Sequence, residues 1–186
     1  MTDLIRKHIQ ESIETKQAIL ASQDCIDSIN NAAQLCIDAL ARGNNILLPG
    51  NCGSAADAQH IAAELVGRFE KERPGLPAIA ITTDTSALTA IGNDYGYNFV
   101  FSRQVQALSR QGDVFIGIST SGNSANIIEA VKAAKEAGVT TICLTGNGGK
   151  LPELCDAAVQ VPSARTATVQ ESHIMIGHLL CALIEA

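Results

Sequence analysis

The sequence predicts a doubly wound α/β domain: a five-stranded, mainly parallel sheet flanked by helices, with two helices leading into it. Three observations predict this. Short apolar, β-prone runs alternate with longer helical stretches. The third run, Val114-Phe115-Ile116-Gly117-Ile118, has no polar alternation, as expected of a strand covered on both faces. Two loops rich in glycine and hydroxyls, 50–54 and 119–124, each leave a strand and open a helix, and in open α/β sheets ligands bind beyond that carboxyl edge.

In chain order, residues 3–21 place Ile5, Ile9, Ile13 and Leu20 at helical spacing. Residues 25–42 repeat the pattern with Ile26, Ile29, Ala33, Cys36 and Leu40, and close at Gly43. This pair, residues 1–43, either covers the sheet or builds an oligomer interface. Residues 44–186 form the α/β sandwich, so the chain is one domain. Its strands are 45–48, 78–81, 114–118, 140–144 and 157–161. Its helices run over 55–66, 85–108 with a break at Gly92-Asn93-Asp94-Tyr95-Gly96, 127–137, and 168–184.

Composition excludes several classes. With 46% hydrophobic and 17% charged residues in 186, the chain can bury a sizeable core and is not disordered. A net charge of -6 argues against a general nucleic-acid binder, whose affinity rests on Lys and Arg. No window approaches the unbroken apolar length of a membrane span, and the first residues are amphipathic, so neither a membrane nor export is expected and the location expected is cytoplasmic. The six cysteines, without any CxxC, read as free thiols in a reducing compartment.

The loop Gly50-Asn51-Cys52-Gly53-Ser54 opens a helix whose unpaired N–H groups and positive dipole end suit an anion such as phosphate. On that helix His60 and Glu64, at i and i+4, share a face; they are either an acid/base or metal pair or a plain surface pair. The loop Ser119-Thr120-Ser121-Gly122-Asn123-Ser124 offers four hydroxyls to a second anion-friendly turn, or else Ser121 or Ser124 simply caps the helix. Neither loop is a Walker A, because no Lys follows the glycines. In the closing helix Gln170 and His178 lie on neighbouring faces. Thr168 and Glu171 fit a capping box, His173 reads as structural, and His8 reads as a surface residue. Two histidines, a carboxylate and an amide oxygen are compatible with zinc, although their separation in sequence leaves that open.

These residues together resemble the sugar isomerase (SIS) domain family, and within it the phosphoheptose isomerases. The resemblance runs through Gly50–Ser54, His60-Ile61-Ala62-Ala63-Glu64-Leu65, Arg73-Pro74, Gly92-Asn93-Asp94, Gly117–Ser124, Leu144-Thr145-Gly146 and Gln170-Glu171. It implies a flavodoxin-like SIS fold, a homotetramer with active sites at subunit interfaces, and one zinc ion per subunit. It implies a small sugar phosphate as substrate, held at its phosphate by Ser119, Thr120, Ser121 and Ser124. Asn51, Cys52, Gly53, Ser54, Glu64, Asn93, Asp94 and Gln170 are implied to line the rest of the substrate site. His60, Glu64, Gln170 and His178 are implied as zinc ligands, with Glu64 and His178 as the catalytic base and acid.

Two positions depart from the family pattern. Its loop is usually Gly-Asn-Gly-Gly-Ser, whereas Cys52 stands at the middle glycine here, which adds strain if φ is positive there. The residue two before Gln170, often Arg in relatives, is Thr168. The competing reading is a non-catalytic SIS protein that binds a partner such as the replication initiator; such relatives lack the carboxylate at the position of Glu64. An isomerase for another sugar phosphate, such as arabinose 5-phosphate, is a third reading.

Overall fold

Strands β1 (Ile46–Leu48), β2 (Ala78–Ala80), β3 (Val114–Ser119), β4 (Thr140–Thr145) and β5 (Ala157–Gln160) lie parallel in the order β2-β1-β3-β4-β5, in a computed structural model that describes residues 1–186. The register sets Ile46 beside Val114, Ile116 beside Ile142 and Leu144 beside Val159. Because side chains alternate along a strand, these residues point to one face, while Leu47, Phe115 and Cys143 point to the other. Each face has its own core. The first is covered by α2 (Gln23–Ala41), α3 (Gly53–Val66) and α8 (Thr166–Glu185), and the second by α5 (Ser102–Leu108), α6 (Ala125–Glu136) and α7 (Leu151–Leu154). β3 is buried at all six positions, which is why its sequence shows no alternation.

From β1 the chain moves outward to β2 through α3, then returns to the opposite side of β1 as β3 through α4 (Thr85–Asp94), a 3₁₀ turn at Tyr97–Phe99, and α5. The crevice between β1 and β3 is therefore the topological switch point. Gly50 bridges to Ile118 there, so the loops after β1 and β3 lie side by side.

The two leading helices part company. Ser22 caps α2 by accepting from the Cys25 N–H at 3.3 Å, and α2 buries Ile29, Ala32, Ala33, Cys36 and Ala39 against the sheet. In α1 (Thr2–Ala21) only Thr15 and Ile19 are buried, while Ile5, Ile9, Ile13 and Leu20 stay between 44% and 76% exposed. Full burial of such a side chain is worth about 1.5–3 kcal/mol, and this stripe forgoes most of that within one chain.

α8 corrects three expectations. It starts at Thr166, with Arg165 extended at its cap, so Thr168 lies inside the helix at 1% exposure and the capping box does not form. Glu171 instead accepts from the Ser12 hydroxyl of α1 at 2.7 Å. Near Thr168, Arg165 donates to Glu11 at 2.7 Å and meets the His8 ring at 2.7 Å, so His8 lies on the surface as expected but has a partner at the cap of α8. α8 is also long and apolar enough to cross a membrane by length and composition; here Val169, His173, Ile176 and Leu180 bury it in the core. The His173 ring nitrogens have no hydrogen-bond partner. Burial lowers its pKa to about 4, outweighing the opposing pull of the Thr145 backbone, so the ring is neutral at physiological pH.

All six cysteines are free, and burial pushes Cys36 and Cys181 up to about 12, which leaves them as inert thiols.

At its far end α8 fastens the segment after α3. Glu185 accepts from the N–H groups of Phe69, Glu70 and Lys71 at 2.8, 2.8 and 2.9 Å and pairs with Arg73 at 2.7 Å. Arg73 in turn donates to the carbonyls of Glu64 and Leu65. Burial acts to raise the Glu185 pKa, but the three N–H donors and Arg73 outweigh it and hold the carboxyl down at about 2. A carboxyl with a depressed folded pKa contributes stability that is complete above its unfolded value and lost as pH falls through the folded one. Glu185→Gln is therefore expected to lower Tm at neutral pH, with the gap to the parent closing as the pH of the melts is taken from about 4.5 down to about 2. A gap that stays constant across that window would show that the charge of Glu185 does not fasten the segment.

Candidate active site

The glycine loop is shaped by close backbone approach. A Cβ at Gly50 would run into the Ser54 carbonyl, so only glycine fits where the chain turns from β1 into α3. Ser54, itself buried, donates its N–H to the Asn51 carbonyl at 3.0 Å. Cys52 caps α3 at φ 51° and ψ -118° without a side-chain capping bond, and it is the one non-glycine residue with positive φ. The strain expected at this position is present. The thiol is exposed, and in the first turn of α3 the N–H groups of Ser54, Ala55 and Ala56 are taken up by the Asn51 and Cys52 carbonyls, which leaves that of Gly53 unpaired. Gly53 lies against Gln170, whose Cγ would be 3.3 Å from an added Cβ.

In the second loop Ser119, at 3% exposure, shares a 2.8 Å hydrogen bond with Ser124, and Ser121 accepts from the Asn123 N–H at 3.2 Å. Ser124 stands at the cap position of α6 but makes no side-chain capping bond, so the plain capping alternative fails for it. Ser119, Thr120, Ser121 and Ser124 thus gather hydroxyls around the open N-terminus of α6, a cradle for an anion that needs no formal positive charge. The two loops are tied by side chains as well. Asn51 and Asn126 exchange amide hydrogen bonds, each 2.9 Å, and the Tyr97 hydroxyl lies 3.3 Å from Asn51 Oδ1.

A second cluster forms where α3 meets α8. Gly177 permits it, since a Cβ there would sit 2.6 Å from Ile61 Cδ1 and hold the helices apart. With the helices closed, the Nε2 atoms of His60 and His178 are 3.0 Å apart, and Glu64 Oε1 is 3.3 Å from His60 Nε2. The Phe69 ring stacks on His178 with centroids 5.6 Å apart. Gln170 donates to Asp57 Oδ1 at 2.6 Å. Asp57 was not singled out in the sequence, although it precedes His60 by three residues and Glu64 by seven and so shares their helix face. It is 4% exposed with Oδ2 unpartnered; burial raises its pKa, opposed by the Gln170 hydrogen bond and the charge of His60.

The structure therefore brings His60, Glu64 and His178 together and sets Gln170 beside them through Asp57. No three His, Cys, Asp or Glu side chains encircle a common point, and the two imidazoles lie within hydrogen-bond distance of each other. In donor chemistry the set still fits zinc, which takes neutral imidazole nitrogen and carboxylate oxygen. His60 lies two turns along α3 from the glycine loop, roughly 10 Å at 1.5 Å per residue. Asn93 and Asp94, exposed at the end of α4, bond to each other at 2.8 Å; it is Tyr97, just beyond them, that reaches the glycine loop.

An SIS domain model matches residues 7–146 of the sequence. The chain belongs to the SIS-domain family. Among its relatives, the phosphoheptose isomerase of Aneurinibacillus thermoaerophilus is 58% identical over all of this SIS chain and 94% of that protein. That of Sulfurimonas denitrificans is 54% identical over all of this chain and 95% of that protein. Among solved structures, the phosphoheptose isomerase of Neisseria gonorrhoeae superposes with a TM-score of 0.93 at 49% identity, covering 99% of this chain and 98% of that one. The Francisella tularensis phosphoheptose isomerase does so at 0.94 and 38% identity, covering 98% and 97%. The five-stranded parallel sheet is thus the SIS fold.

Relief of the strain at Cys52 is directly measurable. Cys52→Gly is expected to raise the unfolding free energy in urea by about 1 kcal/mol, the relief of a disfavoured backbone less the added entropy of glycine. A loss of stability would mean that the thiol contributes more through its contacts than its φ costs.

Proposed function

We infer that this SIS protein is an aldose–ketose isomerase that converts sedoheptulose 7-phosphate to D-glycero-D-manno-heptose 7-phosphate. The observation that carries the reading is the joint presence of a hydroxyl-lined anion cradle and a cluster of Glu64 and His178 about His60 in a chain 58% identical over its whole length to a phosphoheptose isomerase.

The cradle of Ser119, Thr120, Ser121 and Ser124 holds the phosphate, and Asn51, Cys52, Gly53, Ser54, Asn93 and Asp94 face the sugar. On the open-chain ketose, Glu64 removes a proton from C1 while His178 gives a proton to the C2 oxygen, forming the enediol. Glu64 then returns its proton to C2 as the C1 hydroxyl gives up its own to His178, leaving the aldose. Each residue ends as it began. Phe69 and His60 orient the His178 ring, and the Arg73–Glu185 clamp holds the backbone at Glu64. His60, Glu64, Gln170 and His178 would hold one zinc ion per subunit, and such an ion supplies Lewis-acid stabilisation of charge on a sugar oxygen.

The active assembly in this reading is a homotetramer with sites between subunits. The exposed α1 stripe and the open reactive cluster, with the His60 side chain 46% exposed, support it. The enzyme works in the cytoplasm, at the first step of ADP- or GDP-heptose synthesis for lipopolysaccharide or surface polysaccharide. The partner-binding alternative is not favoured, because Glu64 is present and set against His60.

Glu64→Gln is expected to lower kcat on sedoheptulose 7-phosphate, followed by NMR of the sugar, by about 10²- to 10⁴-fold with Tm unchanged. Turnover retained in that variant would remove Glu64 as the base. Metal analysis after chelation and re-addition is expected to find one zinc per subunit in the parent and none in His60→Ala; equal zinc in both would place the ion elsewhere.

A further inference from the structure

The Asn51–Asn126 pair joins the two loops, yet by itself it leaves the direction of both carboxamides open. Their head-to-tail contact, 2.9 Å each way, survives if both amides flip together. Tyr97 removes that ambiguity. Its hydroxyl lies 3.3 Å from Asn51 Oδ1, and a phenol, whose oxygen lone pair is shared with the ring, donates better than it accepts. With Tyr97 and the Asn126 amide both donating to it, Oδ1 has used its two acceptor sites. Asn51 Nδ2 gives one hydrogen to Asn126 and keeps one to give.

The segment is built to hold Tyr97 in place. Gly96, at φ 91°, swings the chain from α4 into the 3₁₀ turn that begins at Tyr97. Two residues before Tyr97, the Arg103 guanidinium lies 4.4 Å over the Tyr95 ring. Asn126 is fixed in the first turn of α6 at 4% exposure, while Tyr97 itself is 62% exposed at the rim of the crevice. An exposed aromatic whose one polar contact is to a loop residue has little to do for the core.

We propose that Tyr97 is a positioning residue of the sugar-phosphate site: with Asn126 it locks the Asn51 carboxamide so that a single N–H is presented to an oxygen of the phosphate-bearing half of the substrate. This rests on the isomerase reading given above. The placement selects that half of the substrate. Asn51 adjoins the hydroxyl cradle through Asn126, whereas Glu64 lies about three helical turns along α3, and His178 meets that helix at His60. A contact remote from the reacting carbons is made equally in ground and transition states, so its loss raises KM and spares kcat.

The test is a double-mutant cycle of Tyr97→Phe and Asn51→Ala, read as the Kd and KM for sedoheptulose 7-phosphate, with kcat and Tm alongside. Tyr97→Phe is expected to weaken binding about 3- to 10-fold, the worth of one neutral hydrogen bond, with kcat changed less than about twofold. In the Asn51→Ala background the same substitution is expected to change nothing further, because Tyr97 acts through Asn51. Equal effects in both backgrounds, or a fall in kcat at constant KM, would overturn the proposal. Failure of the isomerase reading shows separately, as a parent protein that binds the sugar phosphate without converting it; the Tyr97 cycle is then still decided by Kd. A parent that does not bind the sugar phosphate overturns both.

Discussion

Everything functional in this molecule depends on β1 and β3 pairing directly, with β2 displaced to the edge. That single topological choice puts the chain's two glycine/hydroxyl loops on the same crevice. The Gly50–Ile118 bridge continues the strand pairing into the loops, and the Asn51–Asn126 amides continue it into the helices that the loops open. Two helices, α3 and α6, then start from neighbouring loops, with the Gly53 N–H unpaired at the first and those of Ala125 and Asn126 at the second. In the proposed reading an acidic protein with a net charge of -6 holds a phosphate there because backbone dipoles and hydroxyls, fixed by the fold, take the place of Lys and Arg.

The cluster of His60, Glu64 and His178 obeys a different constraint, the closeness of α3 and α8. Gly177 removes the one side chain that would collide with Ile61, and the helices come near enough for His60 and His178 to touch. Asp57 and Gln170 make a second contact across the same seam, one turn nearer the glycine loop. Beyond the seam, Glu185 gathers three N–H groups and Arg73, so the segment carrying Phe69 is held against the His178 ring. Charges and dipoles here do structural service on behalf of the proposed acid and base.

Legibility in the sequence followed the range of the interactions. Strand and helix positions, the glycine loops and the His60/Glu64 pair are local patterns of period or spacing, and they were readable. The start of α8 was misplaced because Thr168 and Glu171 satisfy a local capping rule that the fold does not use. Glu171 finds Ser12, more than a hundred residues away, and the extended Arg165 turns the chain first. Asp57, Tyr97 and Asn126 were overlooked for the same reason: each matters through a partner distant in sequence, Gln170 or Asn51, that no periodicity reveals.

By itself, then, the sequence determined a parallel α/β domain with two anion-friendly loops and a helix bearing an imidazole and a carboxylate, because these are set by backbone propensity, glycine geometry and the 3.6-residue repeat. The strain at Cys52 was visible only as a departure from the glycine usual in the family, and the structure gave it substance through a positive φ. Only the tertiary structure decided that His178 meets His60, that Gln170 rests on Asp57, that α2 covers the sheet while α1 keeps its apolar stripe outward, and that α8, apolar enough for a membrane, is a core helix. Those outcomes depend on which faces come into contact when two sheet surfaces are covered at once, and contact between distant segments is settled by packing, not by spacing along the chain.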